Sequence, residues 1–210
     1  MLVRRLIHPK EEFAIGEYGM LMRRQTGAGG KGGPSRTNAI DRDACIHFIR
    51  SSIATPSITK FLLVSALSIR RGQATWFDDE SYAAMTKVNT EVMPAYYKAK
   101  LAADEALTVL GEQRVSKDKG FQYIILRPGA LTDEKETGRV SFGRTKARGS
   151  VSRADVADVA ARLLEKEGAK GWFDLLGGDE DSEAAVDRVV RESINSMDGE
   201  DIGVMKANMA

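Results

Sequence analysis

Three side chains in this sequence suit proton transfer at an oxygen atom: Ser65, Tyr96 and Lys100. Tyr96 and Lys100 stand four apart in YYKAKLAADEALTVL (residues 96–110), so a helix puts both on one face. An ammonium beside a phenol favours the phenolate and is expected to lower the tyrosine pKa. Such a phenol can give a proton to a carbonyl oxygen or take one from a hydroxyl. Ser65 can hydrogen-bond the same oxygen, and Lys100 can hold the hydroxyls of a bound ribose. The scheme requires the Ser65 strand end and the helix to face one crevice. The YxxxK spacing alone arises by chance in many helices. The competing description makes Tyr96 a packing residue and Lys100 a solvated surface charge, and Tyr97 is equally available as the packing aromatic.

The elements that would position these residues run strand, helix, strand. KFLLVSAL (residues 60–67) reads as a buried strand ending in Ser65, and its LLV centre suits a parallel strand covered on both faces. Open α/β sheets bind ligands at the carboxyl ends of such strands. Residues 96–110 read as a helix begun at Pro94, with Leu101, Ala102, Ala106, Leu107 and Leu110 as its apolar stripe. FQYIILRPG (residues 121–129) reads as the next strand, stopped by Pro128 and Gly129. Upstream, residues 40–53 suit a helix in which Cys45 is a small apolar residue. Residues 68–85 form a polar and aromatic loop with a short helix, where Trp76 and Phe77 either cap the core or line a pocket. Downstream, residues 139–142 suit a short strand. Residues 150–168 suit a helix capped by Ser152, with Asp155 in its first turn. Residues 172–179 suit a last strand and residues 181–194 a last helix. This alternation predicts an α/β fold, a doubly wound parallel sheet.

Composition narrows the function. With 31 basic and 30 acidic residues the formal charge is +1, so bulk charge gives no argument for nucleic acid or an anionic membrane. One cysteine, Cys45, excludes an internal disulfide framework, and two isolated histidines, His8 and His47, argue against a metal site. No run approaches the roughly 18 apolar residues of a membrane span. The basic start lacks the apolar segment of a secretory signal. A soluble, cytoplasmic protein is expected. Residues 26–37, TGAGGKGGPSRT, hold five glycines and must be loop. That loop is either a linker or a segment lying close to a phosphate or ribose. It is not a P-loop, because Lys31 is followed by Gly32. Residues 1–25 show no convincing periodicity and read as a loosely attached arm.

LLVSAL, AYYKAKLAADEAL, YIILRPGALTDE, TGRV and SRADVADVAARLLE, taken as a connected series, resemble the atypical short-chain dehydrogenase/reductase family. Within it they are similar to the NAD(P)-binding, NmrA-like and flavin-reductase-like members. GAGGKGGPSRTNAIDRDACIHFI resembles that branch's loop and helix after the fourth strand. The resemblance covers residues 26–190 and implies a Rossmann-like sheet with bound NADP or NAD. It implies hydride transfer to or from a small carbonyl or alcohol substrate. Ser65, Tyr96 and Lys100 fall on the family's catalytic positions, with Tyr96 as acid/base and Ser65 and Lys100 also touching the cofactor. Pro128, Gly129, Ala130 and Leu131 fall on the loop beside the nicotinamide. Thr26, Gly27, Ala28 and Gly29 fall near the adenosine side, and Arg153 and Asp155 in a supporting motif.

In one respect the chain departs from that family. Its members begin with a strand, a GxxGxxG turn and a helix that hold the pyrophosphate; here glycines at that spacing occur only in the loop of residues 26–37, which has no readable strand before it. The expectation is therefore a partial Rossmann-like domain over residues 26–194, without its N-terminal strand units, between the arm (1–25) and a flexible tail (195–210). Dinucleotide binding should be weakened. A core strand should be left at an exposed edge, which a protein partner or a second copy of the chain would cover. The alternative reading is a non-catalytic Rossmann-like remnant or interaction protein with impaired cofactor binding.

Overall fold

The computed structural model describes residues 32–209. The expected arm, 1–25, lies outside them. In order, the chain forms α1 (residues 33–54), β1 (Lys60–Val64), α2 (Asp79–Lys87), α3 (Pro94–Lys117), β2 (Gln122–Pro128), β3 (Ala130–Thr132) and β4 (Arg139–Gly143). Then follow β5 (Ser150–Ser152), α4 (Arg153–Glu165), β6 (Gly171–Gly177), β7 (Glu180–Asp181), α5 (Ser182–Arg191) and α6 (Ile202–Ala207). The main sheet has the order β1-β2-β6-β4-β7. β1, β2 and β6 pair in parallel, and β4 joins β6 and β7 antiparallel. β3 and β5 form a separate parallel pair.

The three parallel strands are apolar on both faces because helices cover both. Leu62, Ile124, Leu126, Phe173 and Leu175 pack on one face with Val156, Val159 and Leu163 of α4 and Val186 and Val189 of α5. Their alternate neighbours Phe61, Leu63, Tyr123, Ile125 and Trp172 pack on the other with Ile49 of α1 and Ala103 and Leu107 of α3. This is the doubly wound arrangement that the alternation of strands and helices predicts. Among the described residues β1 is the edge of the sheet, yet Phe61, Leu62 and Leu63 are all buried.

α3 differs from the expected one-sided helix. Residues 103–109 are buried without interruption, so the helix runs through the interior instead of lying along its surface. Gly111 lets it press onto β2, since a Cβ there would sit 2.6 Å from the Tyr123 ring. α1 holds a π-helical stretch, Asn38–Ala44, between the α-helical pieces Gly33–Thr37 and Cys45–Ala54. Apolar spacing does not announce such a stretch, and π-turns are frequent at functional sites. α4 starts at Arg153, not at residue 150, because extended Ser152 is its N-cap and accepts from the Asp155 N–H.

The tail from Asn195 is packed, which corrects the expected flexible tail. Met205 is fully buried against the α3 face of the sheet. Asn195 Oδ1 accepts from the Trp172 N–H, at 3.2 Å. Arg70 donates to the carbonyls of Ser196 and Asp198. Glu200 accepts from the N–H groups of Arg71 and Gly72 at 2.7 and 3.1 Å. Contacts to backbone leave no periodic signal in the sequence, which is why this segment read as unstructured. Met205→Ala is expected to lower stability by about 2–3 kcal/mol through the cavity it leaves; urea unfolding measures this, and a mobile tail would show no change.

Candidate active site

β1 ends at Val64, and Ser65 follows with its N–H on Leu126 O at 2.7 Å. That bond carries the sheet register one residue beyond the strand and turns Ser65 into the interior. Its Oγ donates to Asp104 Oδ2 of α3 at 2.6 Å. One helical turn before Asp104, Lys100 Nζ donates to Val64 O at 2.9 Å. Lys100 is therefore buried, at 8% exposure, and is not a solvated surface charge. Tyr96 stands one turn earlier on the same face and is half-buried. Its neighbour Tyr97 donates its hydroxyl to Arg70 O at 3.2 Å and anchors the loop after β1. Tyr97 is thus the anchoring aromatic, and among the described residues the Tyr96 hydroxyl has no hydrogen-bond partner.

Two acidic residues that carry no motif join this group. Asp41, on the π-helical stretch of α1, is close enough for its charge to act on both Tyr96 and Lys100. Its Oδ2 is buried and has no hydrogen-bond partner among the described residues. Asp104 is fully buried and its Oδ1 is likewise without a partner. Arg127 of β2 holds the other oxygen, Nη1 to Asp104 Oδ2 at 3.2 Å. The same guanidinium reaches Asp174 of β6 at 3.1 Å and the carbonyls of Leu67 and Ile69 at 3.1 and 2.8 Å. It also lies over the Trp172 ring, 4.2 Å from its centroid.

Burial dominates the electrostatics. It pushes the Tyr96 phenol up, and the charges of Asp41 and Asp104 add to that. Lys100 pulls it down, as the spacing predicts, but is outweighed. Tyr96 thus holds its proton at neutral pH. Burial also works against the Lys100 ammonium, but Tyr96, Asp104, Cys45 and Asp41 together outweigh it and keep the charge on. Burial pushes Asp104 up to about 6, against the opposing pull of Arg127, Lys100 and the Ser65 hydrogen bond. Cys45 is pushed up to about 11, chiefly by burial, which makes its thiol inert.

The remaining expected residues fall as follows. Thr26, Gly27, Ala28 and Gly29 lie outside the described residues. Pro128 is buried, and its carbonyl accepts from the Leu67 N–H at 2.9 Å, tying the β2 end to the Ser65 loop. Gly129 faces protein: a Cβ there would meet Leu176 at 2.4 Å and Gly149 O at 2.5 Å. Ala130 and Leu131 are exposed. Phe77 is buried in a cluster with Leu67, Met85 and Leu176, and Trp76 packs on it, so both cap the core. Asp155 accepts from Ser152 Oγ and from the N–H groups of Thr137 and Gly138, which supports the loop before β4.

A cavity of about 510 Å³ lies on the side of α3 turned away from Lys100, lined by Ile46, Arg50, Leu101, Ala102 and Met209 among others. It includes none of Ser65, Tyr96 and Lys100, though Tyr97 is among its lining residues. No helix among the described residues is long and apolar enough to cross a membrane.

Known proteins resemble this chain in sequence and in fold. Residues 26–167 match a family described as NAD(P)H-binding. The uncharacterized sugar epimerase YhfK of Bacillus subtilis is 34% identical over 154 residues, 73% of this chain and 61% of its own length. The UPF0659 protein C216.03 of Schizosaccharomyces pombe is 30% identical over 62% of this chain and 51% of its own length. The chain thus spans between half and two thirds of these relatives. Among solved structures, a protein of Bacillus halodurans assigned as an NAD-dependent epimerase/dehydratase aligns with a TM-score of 0.57 and 26% identity, over 77% of this chain and 66% of that one. The oxidoreductase ylbE of Lactococcus lactis aligns with a TM-score of 0.56 and 21% identity, over 88% and 77%, a likeness of fold.

Arg127→Leu strands two buried carboxylates, so it should cost about 3–5 kcal/mol at neutral pH. The loss should shrink in acid, where Asp104 and Asp174, both already raised by burial, take up protons. Urea unfolding as a function of pH reads both effects, and a pH-independent loss would contradict the assignment.

Proposed function

The chain belongs to the NAD(P)H-binding family, and from that premise we propose that Ser65, Tyr96 and Lys100 form the reaction centre of a nicotinamide-dependent oxidoreductase acting on a small alcohol or carbonyl compound. The observation that carries the proposal is the set of unused polar groups around Lys100. Its ammonium has three protons, and among the described residues only Val64 O accepts one by a hydrogen bond. Among the described residues, Asp41 Oδ2 and Asp104 Oδ1 are buried acceptors without partners. Buried polar groups seldom stay unpaired. Donors and acceptors left open in one place fit a ligand rich in hydroxyls, such as the ribose next to a nicotinamide. In this reading Lys100 holds the ribose hydroxyls, and Pro128, Gly129, Ala130 and Leu131 flank the ring.

A bound nicotinamide supplies or takes a hydride. The chain's own residues handle the proton. Tyr96, which its raised pKa keeps protonated at neutral pH, gives its proton to a substrate carbonyl oxygen. In the reverse direction it takes the hydroxyl proton. Lys100 stabilises the phenolate formed when Tyr96 gives the proton up. Ser65 fixes the substrate oxygen beside Tyr96. The substrate, a choice of NADP over NAD, and the adenosine-side role of Thr26, Gly27, Ala28 and Gly29 belong to the same proposal.

A second reading has its own support. Gly27, Gly30 and Gly33 have the GxxGxxG spacing, but the sequence before them shows no strand pattern, so the strand–turn–helix unit that grips a pyrophosphate is not readable in it. The chain would then be a non-catalytic relative whose β1 edge takes up a protein partner or a second copy. Calorimetric titration of the folded chain with NADPH and NADH separates the two. The oxidoreductase reading expects saturable binding, weakened at least about tenfold in Lys100→Met, a loss of about 1.4 kcal/mol. Tyr96→Phe should leave binding within about twofold while abolishing turnover. Absence of saturable binding would favour the second reading.

A further inference from the structure

Asp104 is a buried titratable group with no proton-transfer role in the mechanism above, and it holds the only proton that Ser65 can offer. A serine hydroxyl is one donor and two acceptor lone pairs. In the structure that donor is committed: Ser65 Oγ donates to Asp104 Oδ2 at 2.6 Å, a short charge-assisted bond. While Asp104 is ionised, Ser65 can therefore only accept from a substrate. It cannot donate to a carbonyl oxygen.

We propose that Asp104 is a positioning residue that sets the hydrogen-bond direction of Ser65, making it an acceptor for a substrate hydroxyl when Asp104 is ionised and a donor to a substrate carbonyl when Asp104 is protonated. The inference rests on the oxidoreductase reading for its substrate oxygen. In the protonated state the carboxyl O–H donates to Ser65 Oγ, and the Ser65 proton turns outward. No covalent bond changes, and one proton is taken up.

The surroundings let Asp104 change state within an accessible pH range. Facing it are Arg127 from β2, Ser65 from the end of β1, Cys45 from α1, and Lys100, Tyr96 and Glu105 from its own helix. Asp174 of β6 shares Arg127 and competes for its charge. Arg127 and Lys100 oppose protonation, full burial favours it, and the balance lies near 6. The unpartnered Oδ1 means that ionised Asp104 is incompletely satisfied, which keeps the neutral state within reach.

Carboxyl-carbon NMR of the full chain, labelled with ¹³C at the aspartate carboxyls, tests this without cofactor or substrate. One signal should titrate with a midpoint near 6 and be missing from Asp104→Asn. If that variant fails to fold, Asp104→Glu removes the aspartate signal while keeping the charge. Ser65→Ala should raise the midpoint by about one unit, because the hydroxyl no longer stabilises the carboxylate. An unmoved midpoint in Ser65→Ala overturns the inference. So does a wild-type midpoint in the ordinary aspartate range, since Asp104 would then never release Ser65. Failure of nicotinamide binding in calorimetry would instead sink the oxidoreductase reading and leave the NMR result standing.

Discussion

Burying the Arg127 guanidinium is the constraint on which this end of the molecule depends. A buried charge is tolerated only where it is paired and its donors are filled. Arg127 meets that demand with two carboxylates and two backbone carbonyls, drawn from α3, β6 and the segment after β1. These four partners come from three separate parts of the chain. Satisfying one side chain therefore fixes the distance between the helix and the sheet, and the path of the loop that leaves β1. Asp174 is secured in turn by Ser196 Oγ at 3.0 Å, which draws the C-terminal segment into the same network.

The candidate site is built on the rim of that clamp. Because Asp104 is held from below by Arg127, Ser65 is held from the side by Asp104. Because α3 is fixed by that contact, Lys100, one turn earlier, reaches Val64 O, and Tyr96 follows it on the same face. The low-dielectric setting that makes the clamp strict also shapes its chemistry. Burial outweighs the ammonium at Tyr96 and leaves a neutral phenol, while several acidic groups keep Lys100 charged. A tyrosine on an open helix face beside a lysine would behave in the opposite way.

Much of this was legible in the residues. The runs KFLLV, YIILRP and WFDLL read as strands, KFLLV as one covered on both faces, and Ser152 as a helix cap. The pair Tyr96 and Lys100 followed from spacing, and its link to Ser65 from the strand end. Asp41 and Asp104 did not show, for different physical reasons. Asp41 owes its place to a π-helical stretch that α-helical spacing cannot reveal. Asp104 is a charge inside the core, against the expectation that aspartate on a helix faces water. The sign of the Tyr96 shift was misjudged because burial, its largest cause, is not a property of the sequence. The C-terminal segment was likewise hidden, since polar contacts to backbone hold it in place.

The proposed reading gives the two ends of a nicotinamide dinucleotide unequal support. In that reading the groups around Lys100 take the nicotinamide ribose, while the glycines at residues 27–33 have no readable strand before them to complete a pyrophosphate turn. Comparing the affinities of reduced nicotinamide mononucleotide and NADPH for the folded chain measures that difference directly. The account predicts that the mononucleotide binds within about tenfold of the dinucleotide, a difference no larger than about 1.4 kcal/mol. A dinucleotide preference of about a thousandfold or more, or an ADP-ribose fragment that binds while the mononucleotide does not, would contradict it.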